Sequence, residues 1–221
     1  MDRYRGQRRV QIDDSEGVAQ EPNGMRFRPS NNNVTQDQEP FMGIKARRKA
    51  SFHRDFQGDY LDVRSHPFLM KLLQKQGDKK VLFADKVLKF TNSGKMKRRI
   101  LMITEFAIYI VDPETDALKR RIALAAVDSM CLSELSDNFF AIIIPTEYDL
   151  LIASTRKTEI VTILVEATKS TSAYQLDVTF SNRFEYRATA ELVKEVQFEE
   201  VEGGIRTRFS RKEAPITEDD E

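Results

Sequence analysis

The sequence predicts a mainly β protein: an antiparallel bent barrel closed by one helix, followed by extra strands. Three observations predict it. From residue 81 onward, short Ile-, Val- and Phe-rich segments recur at nearly regular intervals, with turn residues between them. In 156–168 the period changes, and Ile160, Ile163, Leu164 and Ala167 fall at i, i+3, i+4 and i+7, the apolar stripe of an amphipathic helix. After that helix the strand-like pattern returns.

Residues 1–44 form a polar tail. The first forty carry six basic and seven acidic residues, an Asn triplet at 31–33 and few large apolar side chains, so ordering entropy is not offset. Lys45, Arg47, Arg48 and Lys49 make a basic run, followed by Phe52, Phe56 and Tyr60, three aromatics expected as core or docking contacts. A helix is expected over Pro67–Gln76. Ser65 or His66 can cap it, Pro67 suits its first turn and Gly77 its end. Phe68, Leu69, Leu72 and Leu73 give it one apolar face.

Strands are expected at 81–90, 99–104, 107–111, 121–127, 129–132, 139–144 and 149–153. The clusters Thr91-Asn92-Ser93-Gly94-Lys95 and Asp112-Pro113-Glu114-Thr115-Asp116 mark turns. Seven strands and then a helix is the order of the pleckstrin homology fold, in which the helix plugs one open end of a bent barrel. Its core would span about residues 80–170. Further strands are expected at 174–180, 183–188, 195–201 and 205–209, with Gly203-Gly204 turning the last hairpin. Residues 211–221 are an acidic tail.

Composition excludes several functions. The longest apolar runs are six residues, at 122–127 and 139–144, whereas a spanning helix needs about 20. The N-terminus has no apolar stretch for a secretory signal, Asp2 excludes myristoylation, and the C-terminus offers no prenylation cysteine. Cys131 is the sole cysteine, so no internal disulfide or multi-cysteine metal site exists. A reducing compartment is expected. No cofactor is implied.

The formal net charge is zero, but the charge is unevenly distributed. Residues 71–100 hold ten basic residues against Asp78 and Asp85, and residues 191–221 hold ten acidic residues against five basic ones. Lys86 and Lys89 fall on the first expected strand, and Lys95, Lys97, Arg98 and Arg99 on the turn and the start of the second. A hairpin brings such residues together across its mouth, and no neutralising acids are evident there. Gly94 lets the turn backbone approach a ligand. Lys as a point charge and Arg as a bidentate fork suit phosphate, and each basic residue adds about 1 kcal/mol near an anionic membrane.

At these residues the sequence resembles the tail homology 1 domain of class I myosins. The resemblance begins near Arg47-Arg48-Lys49-Ala50-Ser51 and continues through Gly58-Asp59-Tyr60-Leu61, similar to that family's Gly-Asp-Tyr-Leu element. It includes 81–90, the basic-to-apolar segment 97–104, and Ala107-Ile108-Tyr109-Ile110-Val111. The most distinctive match is Leu132-Ser133-Glu134-Leu135-Ser136-Asp137-Asn138-Phe139-Phe140. It covers roughly 45–210. It implies a pleckstrin-homology-like core and binding of anionic phospholipids, often phosphoinositides, on the cytosolic face of membranes. By the same resemblance, Lys89 and Arg99 take the positions of the family's lipid contacts, and Lys97 an additional basic one. The sequence has no G-x-x-x-x-G-K-[ST] loop and no room for a motor, so a motor-less relative is expected, and actin-based movement is not carried over.

Catalysis has little support. His53 and His66 are the only histidines and no nucleophile–base pair has recognisable context. Cys131, amid apolar residues, is expected as core filler. Ser51, after the basic run, is a candidate phosphosite whose modification would reduce local positive charge. The alternative to lipid binding is an adaptor docking cytoskeletal or trafficking proteins through the same fold. Nucleic acid is not an expected partner, because no aromatics interleave with the basic cluster.

Overall fold

The computed structural model describes residues 56–171, 175–202 and 204–212. The polar tail, the basic run, Phe52, His53, Ser51 and residues 213–221 of the acidic end lie outside the described residues, whereas Arg211, expected in that tail, ends the last strand.

Seven strands precede the long helix, as expected. They are β1 (Val81–Phe90), β2 (Met96–Thr104), β3 (Ala107–Asp112), β4 (Ala117–Ala123), β5 (Ser129–Leu132), β6 (Phe139–Ile143) and β7 (Leu150–Ala153). Helix α1 (Pro67–Gln76) comes before them and α2 (Lys157–Thr171) after them. β8 (Asp177–Phe180), β9 (Arg183–Arg187), β10 (Val193–Val201) and β11 (Gly204–Arg211) complete the chain. One sheet has the order β4-β3-β2-β1-β7-β6-β5-β8, and a second has β11-β10-β9. The pairing of β1 with β7 joins the two halves of the large sheet. β8 adds to β5 in parallel, a departure from the all-antiparallel expectation.

The large sheet folds on itself around one core. Phe83 and Val87 of β1, Leu101 and Ile103 of β2, Ile108 and Ile110 of β3, and Phe140, Ile142 and Ile152 from the other half share it with Ile160 and Leu164 of α2. Alternation puts every second side chain of β1 and β2 there. The opposite face is also covered. Leu69, Leu72 and Leu73 of α1 lie on Ala84, Met102, Tyr109 and Val111. Phe184, Val196 and Phe198 of the small sheet lie on Phe90, Phe139 and Leu151. Covered on both faces, β3 is buried throughout and reads as a continuous apolar run.

Pro67 occupies the first turn of α1, and Gly77 ends it at φ 78°. His66 sits at the N-cap without a side-chain cap bond. The fourth strand departs from expectation. It covers Ala117–Ala123, not 121–127, and Leu124–Ala126 forms a single 3₁₀ turn with Leu124 buried. The six-residue apolar run reflects burial against the core and α2, not strand continuity.

The Gly58-Asp59-Tyr60-Leu61 element latches the N-terminal segment to the barrel. Tyr60 N–H donates to Ala84 O (2.8 Å) and Ala84 N–H to Gly58 O (2.9 Å). Gly58 N–H and Tyr60 OH both donate to the Glu159 carboxylate, at 2.9 and 2.7 Å. Arg156 stacks 3.2 Å from the Tyr60 ring centroid and pairs with Asp85 at 2.9 Å. Gly58 has φ 74°, and a Cβ there would lie 2.6 Å from Leu82 O.

Candidate functional site

α2 packs beside Leu124–Ala126 and closes one end of the barrel. The β1–β2, β3–β4 and β6–β7 connections meet at the other end. In the β1–β2 turn, Thr91 N–H donates to Lys95 O (2.8 Å), and Gly94 adopts φ 80°. Lys194 Nζ, from β10, donates to Asn92 O (2.8 Å), so the small sheet braces this turn.

The ladder register divides the six basic residues singled out from the sequence. Lys89 pairs with Lys97, and Val87 with Arg99. Val87 is a core residue, so Lys89, Lys97 and Arg99 share the inward face and meet at the barrel mouth. Lys86 pairs with Ile100 and Arg98 with Leu88, which puts these two cations on the outward face. Both are exposed. Lys95 is exposed in the turn. The hairpin therefore gathers three of the six at the mouth, with Lys95 at its rim.

A fourth mouth cation escaped the sequence reading. Arg120 pairs with Ile110 and lies two residues before the core residue Ile122, so it too faces inward. Placing the fourth strand at 117–123 would have revealed it. Its guanidinium carbon lies 3.9 Å from the Tyr148 ring centroid, and Lys89 Nζ lies 5.6 Å from the same centroid. The two cations thus share one aromatic ring.

Acids are also present, against the expectation of none. Asp112, at the end of β3, lies 3.3 Å from Arg99 Nη1 and 3.5 Å from Lys119 Nζ. The Glu114 N–H, then Arg99 and Lys119, hold Asp112 below the usual carboxylate range. Glu147 approaches Arg120 at 2.8 Å (Nη2) and 3.0 Å (Nε). Asp112 ends the strand next to the hairpin, and Glu147 comes from the β6–β7 connection, distant in sequence from it. Two acids against Lys89, Lys97, Arg99 and Arg120 leave positive charge over, and Arg120 Nη1 is buried without a hydrogen-bond partner. Burial, then the Arg120 and Arg99 charges, push the Lys89 ammonium below its ordinary value. The neighbouring cations that help depress this lysine favour an incoming anion. Phosphate esters, with several oxygens per group, match forked and point-charge donors set around one opening.

Cys131 is half-buried in β5 against the small-sheet cluster. Burial, then Asp149 and Asp177, push its thiol up to about 11, which is an inert setting. Among the described residues no group of three or more His, Cys, Asp or Glu is placed to hold a metal, and no helix is long and apolar enough to cross a membrane.

Residues 47–217 match the family model described as unconventional myosin tail, actin- and lipid-binding. The chain is 32% identical over 169 residues to the myosin IB heavy chain of Dictyostelium discoideum, a match covering 73% of this chain and 15% of that protein. It is 27% identical over 178 residues to human unconventional myosin-Ib, covering 76% of this chain and 16% of that one. The chain thus spans less than a fifth of the length of either relative. Among solved structures, the N-terminal pleckstrin homology domain of human ARAP2 is similar at 18% identity and a TM-score of 0.34, covering 40% of this chain and 80% of that one. The family description names no catalytic activity. On the match to most of its length, the chain belongs to the unconventional myosin tail family, the tail homology 1 domain of class I myosins.

Proposed function

We propose that the chain is a peripheral membrane-binding module that takes phosphoinositide head groups at its barrel mouth, and that it couples such membranes to actin. Lys89, Lys97, Arg99 and Arg120 form the head-group site, with Lys95 at the rim and Lys86 and Arg98 adding general attraction to the anionic surface. Tyr148 orients Lys89 and Arg120. The module acts at the cytosolic face of membranes. The observation that carries this reading is the facing pair Lys89 and Lys97 beside the buried guanidinium of Arg120. Like charges placed directly opposite destabilise a ladder unless an anion lies between them. The actin half rests on the family description.

Liposome co-sedimentation tests the lipid half. Binding should require anionic lipid, rise with phosphoinositide content, and fall for Lys89→Ala and Arg99→Ala. Equal pelleting with neutral vesicles would reject it.

A further inference from the structure

The mouth accounts for only part of the basic segment 71–100. Lys71, Lys75, Lys79 and Lys80 are all exposed, on α1 and on the link from α1 to β1. Lys71 and Lys75 are four residues apart and share a helix face. β1 starts immediately after Lys80 and runs ten residues to the mouth, about 33 Å at ~3.3 Å per residue. The β2–β3 turn lies at this far end, because Lys80 Nζ approaches Glu105 Oε1 at 3.5 Å.

That turn carries Phe106, which is 56% exposed and is the one exposed large hydrophobic among the described residues. Phe106 is held on a rigid mount. The Thr104 hydroxyl accepts from Phe106 N–H (3.2 Å) and Ala107 N–H (3.0 Å). The same hydroxyl donates to Asp78 Oδ2 at 3.0 Å. Asp78 is buried, bonded to Tyr109 OH and faced by Arg121 at 3.7 Å. Its charge is therefore spent inside the protein, and the next two residues, Lys79 and Lys80, stand outside. One buried hydroxyl–carboxylate contact ties the aromatic to the lysines, so both are presented with little conformational freedom to lose.

We infer that Lys71, Lys75, Lys79, Lys80 and Phe106 form a second docking surface, for an acidic protein surface, and that this is where the actin filament binds. The inference rests on the actin half of the proposed function. A rigid aromatic anchor with Lys79 and Lys80 beside its turn, and the Lys71 and Lys75 helix face leading up to it, has the composition of an interface centre with a steering approach. Glu105 pairs with Lys80, and this exposed pair offsets little. A bilayer engaged at the mouth cannot also reach this end. Nor do the two surfaces perturb each other electrostatically, since the Debye length at physiological salt is about 8 Å. The domain can then hold a membrane at one end and a filament at the other.

The test is paired co-sedimentation of the full chain with filamentous actin and, separately, with phosphoinositide vesicles. Two variants are compared with the wild type: Lys75→Gln/Lys79→Gln/Lys80→Gln, and Phe106→Ala. All four positions are exposed, and unchanged circular dichroism and thermal unfolding verify the fold. The expected result is actin affinity reduced by about tenfold or more in each variant, with vesicle binding within about twofold of wild type. The mouth variant Lys89→Ala/Arg99→Ala should show the reverse. Actin binding lost through the mouth variant and kept by the far-end variants would overturn the inference. So would parallel loss of both activities, or absence of wild-type actin binding. The vesicle arm stands or falls separately, which distinguishes failure of the lipid reading from failure of this one.

Discussion

Lys89 and Lys97 stand directly opposite each other across the β1–β2 ladder, on the face that leads into the barrel core. Two ammonium groups so placed repel, and the half-buried Lys89 also feels Arg120 and Arg99. The cations are assembled at some cost to the protein, a cost that an anion bound between them would relieve.

Lys97→Ala should therefore raise thermal stability slightly, by about 0.2–1 kcal/mol, while weakening binding to phosphoinositide vesicles. Denaturant unfolding and liposome sedimentation on one preparation check both signs. Lower stability together with unchanged vesicle binding would contradict the arrangement.

Lys89 also predicts a pH dependence. Its folded value lies below the ordinary 10.5. Between the two values the unfolded chain binds more protons, so this residue's penalty is full below the folded value and fades as pH rises through the window. Vesicle affinity should fall over the same window as the ammonium is lost. Lys89→Arg, charged throughout, should flatten that fall, and sedimentation across alkaline pH measures it. The same slope in Lys89→Arg would assign the effect elsewhere.

Arg120→Lys preserves charge but loses the planar fork and its stacking on Tyr148. Affinity for phosphoinositide vesicles should fall about tenfold, with a smaller effect on vesicles containing only singly charged lipids. Comparing the two lipid mixtures separates fork recognition from general attraction. An equal loss on both would leave Arg120 a structural cation.

Gly58→Ala forces a side chain onto a left-handed backbone and against Leu82 O. We expect a loss of about 2–4 kcal/mol and faster hydrogen exchange at the Tyr60 and Ala84 amides. Unchanged exchange at those amides would show that the latch tolerates the substitution.

Burial and the Asp78 contact push the Tyr109 hydroxyl up to about 12. A raised folded value contributes stability that is complete below pH 10 and is lost as pH rises through about 12. Tyr109→Phe should lower stability at neutral pH by about 1–2 kcal/mol and remove much of the alkaline decline. Denaturant midpoints from pH 9 to about 12 report it. An undiminished decline in Tyr109→Phe would trace it to other tyrosines.

The elements with strong local signals were legible. Pro67 and Gly77 bracket α1, and the spacing of Ile160, Ile163, Leu164 and Ala167 marks α2. The first hairpin was legible because apolar alternation and a Gly-containing turn agree, although its second strand starts at Met96 and not at Arg99, which puts Lys97 and Arg98 in the ladder. The fourth strand was not, because Leu124–Val127 owes its apolar character to the turn beside α2. The mouth was half legible: Lys89, Lys97 and Arg99 are neighbours through one turn, whereas Arg120, Glu147 and Tyr148 arrive on segments more than twenty residues away.

The amino-acid sequence alone determined the fold class, the family and the concentration of cations around the first hairpin, because period, turn chemistry and charge are local properties of a chain. Only tertiary structure decided which cations share a face, which acids meet them, and that the turn carrying Phe106 lies beside Lys80 at the far end of β1. Register and sheet closure set those distances, and both depend on contacts between segments far apart in the chain.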